Sequence, residues 1–315
     1  MRQQQAHAPT TGLVRERAVE SERAAHGGKE TKESSLVRGP KPGRKRMMLT
    51  ARDQNIVRWI NDVGVSTREQ VQALFFGRGS RSRCQRRLTL LFSNWYLDKL
   101  PRRRATLPDV YYLSRRCTNG LRLLRAAGLR PVKLRPPSPM RLPHLLDVIS
   151  CRVQITRACA ERGVQLIHWL DERDLIDLVA SEELLPDAFF RLCRRTAKGE
   201  EKRSSFFLEV ERSDKGERTL AEKFRRYGDF YYNGAFERRF GTRSLRVLVL
   251  LGSDYGIVPE KRVAKLAGLA EREGVTFLHF APVTGFLTTH PRDVLTKAIW
   301  TRVAGSSPIA LFPED

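Results

Sequence analysis

Two domains are expected from this 315-residue sequence: a small basic helical unit carrying a hairpin, then a larger α/β unit on a mixed sheet with flanking helices. Three observations predict them. Residues 47–135 hold 19 lysines and arginines against 5 acids, whereas residues 136–315 hold 28 against 25, so most of the +23 formal charge sits in one short stretch. Pro131, Pro136, Pro137, Pro139 and Pro143 crowd the junction, as in an extended linker. Beyond it, Val247-Leu248-Val249-Leu250-Leu251 is apolar without alternation, which a strand covered on both faces requires. The boundaries follow as a tail over 1–46, a basic domain over 47–130, a linker over 131–141 and a sheet domain over 142–315.

Residues 1–46 mix Gln, Ala, Gly and Ser with charges and end in Pro40-Lys41-Pro42-Gly43-Arg44-Lys45-Arg46. Such a segment cannot offset its ordering entropy by burial, so a disordered basic tail is expected. No apolar run approaches the length that spans a bilayer, and the first residues lack the apolar stretch of a secretion signal. A cytoplasmic, membrane-free protein is expected. The five cysteines, Cys84, Cys117, Cys151, Cys159 and Cys193, form no C-x-x-C pair and lie in apolar patterns, which suits reduced core thiols and no zinc site.

In the basic domain, Thr50 caps a helix in which Ile56, Val57, Trp59 and Ile60 recur at helical spacing before Gly64,. Ser66 and Glu69 have capping-box spacing for a second helix with Val71, Leu74 and Phe75 on its apolar face,. Gly77 and Gly79 then make a turn, since no G-x-x-x-x-G-K-[ST] pattern is present,. In the third helix Cys84, Leu88, Leu91 and Phe92 share one face,. The opposite face carries Arg83, Gln85 and Arg86, flanked by Arg81 and Arg87. A basic helix with an interleaved Gln suits a DNA major groove. Trp95–Leu100 and Val110–Leu113 pair as a hairpin tipped by Arg102-Arg103-Arg104, and a last helix follows near Thr118 to Ala127. Three helices, a basic hairpin and a final helix describe a winged helix-turn-helix whose partner is double-stranded DNA. Its third helix reads base edges and its hairpin arginines meet phosphates or the minor groove.

The sheet domain opens with an amphipathic helix over Leu142–Arg162. Strands are predicted at Gln165–Trp169, Pro186–Cys193, Ser204–Arg212, Leu245–Leu251 and Thr276–Phe280, with helices near Arg218–Gly234 and Pro259–Glu273. Asp187 sits at the mouth of one strand, and Glu209 and Glu211 end the next in Phe206-Phe207-Leu208-Glu209-Val210-Glu211. With period two, both glutamates project to one side. If Asp187 lies on the neighbouring strand, three carboxylates converge, a hard-oxygen set for Mg²⁺ or Mn²⁺. The alternative is a solvated strand end paired with arginines, Arg212 in particular.

Pro186-Asp187, then Glu209-Val210-Glu211 at a strand end, in a helix, three strands, helix, strand order, resembles the PD-(D/E)xK restriction-endonuclease-like superfamily. Together with the winged helix before it, the chain is similar over about residues 48–285 to the replication-relaxation family of plasmid and mobile-element proteins. The resemblance implies plasmid DNA relaxation, replication or mobilisation, association with plasmid or nucleoid, and contact with other replication or mobilisation proteins. It also implies metal and catalytic roles for Asp187 and Glu209. One departure stands out: active nucleases of this type carry a lysine two residues after the second acid, where this chain has Glu211. Lys223 on the next helix could supply the amine from another direction, or Glu211 could bind a second metal. Asp147, on the helix before the sheet, resembles an auxiliary metal acid, with His144 three residues earlier, and Tyr227 lies one turn beyond Lys223. Three functions compete: a DNA-binding module with a degenerate nuclease-like domain, a Mg-dependent endonuclease or nickase, and a winged-helix transcriptional regulator. The first leads because Glu211 replaces the lysine.

Overall fold

Thr50 fixes the first helix of the computed structural model, which describes residues 47–101, 108–132, 134–179, 182–196, 198–212, 215–252, 259–303, 305 and 307–312. The tail over 1–46 and the Arg102–Arg104 hairpin tip lie outside the described residues. Helix α1 (Ala51–Val63) carries a complete capping box. The Thr50 side chain accepts the Asp53 amide at 3.3 Å, and the Asp53 carboxylate accepts the Thr50 amide at 2.8 Å. These bonds satisfy amides that a helix start leaves open.

The second cap differs from the sequence expectation. Ser66 lies inside strand β1 (Val65–Thr67), and Thr67 caps α2 (Arg68–Phe75), its partner being Gln70 rather than Glu69. The Thr67 hydroxyl accepts the Gln70 amide at 3.2 Å, and Gln70 Oε1 accepts the Thr67 amide at 2.9 Å. The strand places Ser66 out of reach of that role. Its hydroxyl instead accepts from the Trp59 indole at 3.2 Å and donates to Gln70 at 3.2 Å.

Helix α3 (Arg81–Ser93) buries Cys84, Leu88 and Leu91 against Ile56, Val57, Ile60 and Val71. The chain then turns at Trp95, whose φ of +60° is left-handed, so the strand predicted from Trp95 starts only at β2 (Asp98–Lys99). Strands β2, β3 (Val110–Tyr112) and β1 form an antiparallel sheet in the order β1-β3-β2. Helix α4 (Thr118–Ala126) packs at the turn because Gly120 has no side chain. A Cβ at Gly120 would lie 2.3 Å from the Tyr96 carbonyl oxygen. Gly120→Ala is therefore expected to destabilise the fold by about 1–3 kcal/mol, an overpacking cost that urea unfolding would read as a lower midpoint.

The larger sheet has six strands in the order β4-β5-β6-β7-β8-β9. They are β4 (Gln165–Asp171), β5 (Ala188–Arg195), β6 (Glu201–Glu211), β7 (Leu245–Leu251), β8 (Leu278–Pro282) and β9 (Thr301–Arg302). Strands β6, β7 and β8 run parallel and the outer pairings are antiparallel, giving a mixed sheet. Helix α5 (Leu142–Arg162) covers one face; α7 (Glu217–Tyr232) and α9 (Pro259–Arg272) cover the other. Strand β7 shows why its run lacks alternation: Val247, Val249 and Leu251 face the α7 side, and Leu248 and Leu250 face the α5 side. The connections also form α6 (Glu172–Val179), α8 (Ala235–Phe240) and α10 (Val283–Thr288).

Residues 131–141 form neither helix nor strand where they are described, and the last proline of the stretch, Pro143, lies in the first turn of α5. The stretch is nonetheless held in place. Asn61 bonds the Arg130 carbonyl at 3.1 Å and the Val132 amide at 3.0 Å, and Leu134 packs on the core of the helical part. Across the junction, Val63, Val65, Val110 and Tyr112 share a cluster with Ile149 and Val153 of α5. Gln70 donates to the Leu146 carbonyl and the Ser150 hydroxyl, each at 2.9 Å. All five cysteines are free and buried, and burial pushes the Cys84 thiol up to about 11. Among the described residues, no helix is long and apolar enough to cross a membrane.

Candidate functional site

The basic face of α3 divides into exposed and committed residues. Arg81, Arg83 and Arg86 are exposed and have no ion pair among the described residues, although Arg83 donates to Ser80 Oγ at 2.5 Å. Arg87 turns inward, its Nε 2.9 Å from Asp53 Oδ1, with a second contact from its Nη2 to Oδ2. Gln85 accepts from Arg68 at 3.3 Å and donates to Tyr111 Oη at 3.3 Å. The free cations of α3 are thus the first-turn arginines and Arg86. Burial alone would raise the Asp53 carboxyl, but the bonds from Arg87 and Thr50 outweigh it and hold the group below its ordinary value.

The acidic site is built by β6. Phe207 faces the α7 side, and period two carries Glu209 and Glu211 to that same side, while Val210 packs with the α5 face. Both glutamates are buried. Asp187 sits one residue before β5, beside the end of β6. Its Oδ2 accepts the Val210 amide at 2.7 Å, and its Oδ1 lies 2.8 Å from His144 Nε2 on α5. From the opposite layer, α7 presents Lys223, with Nζ 2.6 Å from Glu209 Oε2, and Tyr227, whose hydroxyl donates to Glu209 Oε1.

Charge binds this group together. Burial pushes the Glu209 carboxyl up, the Asp187 charge adds to it, and together they outweigh the pull of Lys223 and Tyr227. Burial also opposes the charged form of Lys223, yet the carboxylates of Glu209, Asp187 and Glu211 hold its ammonium above the ordinary lysine value. His144 is raised as well, first by its bond to Asp187 and then by Asp187, Glu209 and Glu211 through space. A buried acid facing a buried amine, with a histidine on the neighbouring acid, is an arrangement found at functional sites.

The remaining predicted ligands are engaged elsewhere. Glu211 accepts from Lys215 Nζ at 2.9 Å, and Asp147 pairs with Arg212, the arginine expected to neutralise this strand end. The Glu209 oxygens serve Lys223 and Tyr227, and those of Asp187 serve His144 and the Val210 amide. Among the described residues no group of three or more His, Cys, Asp or Glu could hold a metal ion. This donor set, with an ammonium already on Glu209, does not fit a divalent ion as it stands.

A model of the replication-relaxation family matches residues 57–245, from within α1 to the first residue of β7. The chain belongs to the replication-relaxation family. The match takes in α3, α5, Asp187, both glutamates and Lys223, so every described candidate lies in the stretch that defines this replication-relaxation protein. Membership supports a role in replication or relaxation. No curated protein and no solved structure matches the chain.

Proposed function

We propose that this replication-relaxation protein binds double-stranded DNA through a winged helix-turn-helix over residues 47–130, joined by residues 131–141 to a PD-(D/E)xK-like domain over 142–315. The observation that carries this reading is the row Arg81, Arg83 and Arg86, exposed on α3 with no acidic partner among the described residues. Such a row on the third helix, followed by an antiparallel hairpin, suits a helix laid in the major groove. Arg102, Arg103 and Arg104 extend the same reading to the phosphates beside it. Arg87 drops out of the contact set because it neutralises Asp53, and Gln85 would have to leave Arg68 and Tyr111 to read a base.

A mobility-shift assay tests this assignment. Replacing Arg83 and Arg86 with Ala is expected to weaken duplex binding by about tenfold or more, since each removes a charge-assisted contact. Unchanged affinity would reject α3 as the reading helix.

A second reading, phosphodiester hydrolysis, is favoured by one observation: α7 delivers Lys223 to Glu209, although the strand itself carries Glu211 where a lysine would stand. The ion proposed with that reading is Mg²⁺ or Mn²⁺, which would have to displace Lys223 from Glu209 to reach it. Supercoiled plasmid, incubated with and without these ions beside Asp187→Ala and Glu209→Ala, separates the readings. Nicking lost in both variants supports hydrolysis; a mobility shift indifferent to metal and to both changes supports a binding module on a degenerate nuclease-like fold. We also propose plasmid or nucleoid association and contact with other replication or mobilisation proteins, both following from the family role.

A further inference from the structure

The stretch from Val110 to Leu146 holds eight lysines and arginines and no acid. Helix α4 lies inside it and carries Arg122 and Arg125 three residues apart. That spacing puts both on one side of the helix, with about 5–6 Å between their Cβ atoms. Arg115 precedes the helix and Arg130 follows it. All four arginines are exposed and have no ion pair among the described residues. On the inner side of the helix, Leu124 is buried in the core of the helical part.

The acids of the helical part are committed elsewhere. Residues 47–135 contain five of them. Asp53 holds Arg87, Asp62 holds Arg152 and Glu69 holds Arg68. Asp98 is buried and accepts from the Ser114 hydroxyl at 2.8 Å, and Asp109 pairs with Lys99 at 3.4 Å. Uncompensated like charge on a compact fold costs stability through self-repulsion. A polyanion that accepts from these guanidiniums relieves that cost.

This face is not the one that α3 presents. Cys84, Leu88 and Leu91 of α3 and Leu124 of α4 point into the same cluster, so the exposed faces of the two helices look outward from different sides of it. Helix α4 also begins at the end of α3 remote from Arg81 and Arg83, where the Asn119 and Gly120 amides each donate to the Trp95 carbonyl at 3.1 Å. The 13 residues of α3 span about 20 Å,, so the two sets of arginines are separated along α3 as well as around the core.

We propose that the α4 face, Arg122 and Arg125 with Arg115 and Arg130, binds the phosphate backbone of a second DNA duplex, so that one chain holds two duplexes together. The proposal rests on the reading that α3 binds the first duplex, and its test keeps the two apart.

Bead-bound duplex is loaded with the full chain, washed, and offered a fluorescent duplex of the same sequence. The wild type is expected to retain the fluorescent duplex. Arg122→Ala with Arg125→Ala, exposed changes to a strong helix former, should lower retention by about tenfold or more through lost charge-assisted contacts. Their affinity for a single duplex in a mobility shift should equal that of the wild type. Arg122→Lys with Arg125→Lys should keep most of the retention, because lysine still meets a phosphate as a point charge. A wild type that binds a single duplex but retains no second one would overturn the proposal and leave the α3 reading standing, whereas a wild type that binds no duplex would overturn both. Retention that survives the alanine changes, as two associated chains each using α3 would give, also overturns it. So does an equal loss of single-duplex affinity, which would place α4 on the first duplex.

Discussion

Lys223→Met is expected to lower stability by about 3 kcal/mol at neutral pH, because removing one partner of a buried pair strands the other charge. Glu209 is only 5% exposed, and Lys223 Nζ stands 2.6 Å from it. After the change, Tyr227 alone remains as its donor among the described side chains, which is too little for a carboxylate away from water,. The carboxyl then either stays charged at that cost or takes up a proton. A double-mutant cycle separates the pair from other effects of the substitution. Glu209→Gln added to Lys223→Met should recover a large part of the loss, since no charge is left unpaired. Equal and additive losses in chemical denaturation would show that the two residues do not stabilise each other.

Arg87→Ala is expected to cost a similar amount, about 3 kcal/mol, for the same reason at the other end of the chain. Asp53 is fully buried, and Arg87 is its cationic partner. The pH dependence distinguishes this from loss of packing. The Asp53 carboxyl is held below its ordinary value in the folded chain, so its contribution is complete above the value it has in the unfolded chain. That contribution is lost as pH falls through the folded value. The stability gap between wild type and Arg87→Ala should therefore be full at neutral pH and close in acid. A gap that stays constant into acid would assign the loss to packing.

The sequence made some of this legible and hid the rest for identifiable reasons. Helix α5 was predicted over the residues it occupies, Leu142–Arg162, because its apolar face repeats over many turns,. The same-side placement of Glu209 and Glu211 followed from strand period alone. Helix period put Arg86 on the outer face and Arg87 at its flank, but it gave no sign that Arg87 is withdrawn from that surface. What separates them is Asp53, a residue 34 positions away that captures Arg87. Thr67 and Gln70 were missed as a cap because Ser66 and Glu69 carry the same spacing one residue earlier, and only the strand β1 shows which pair is used. Helices α6 and α8, of 8 and 6 residues, are too short to show a period distinct from a loop.

The most direct test of the account is the salt dependence of duplex binding, measured by fluorescence anisotropy for the wild type and for Arg83→Ala with Arg86→Ala. If α3 lies in the groove, the logarithm of the affinity falls linearly with the logarithm of salt for both proteins, and the variant binds about tenfold or more weakly across the whole salt range. A variant whose affinity and slope equal those of the wild type would place the DNA-binding surface elsewhere and contradict the account.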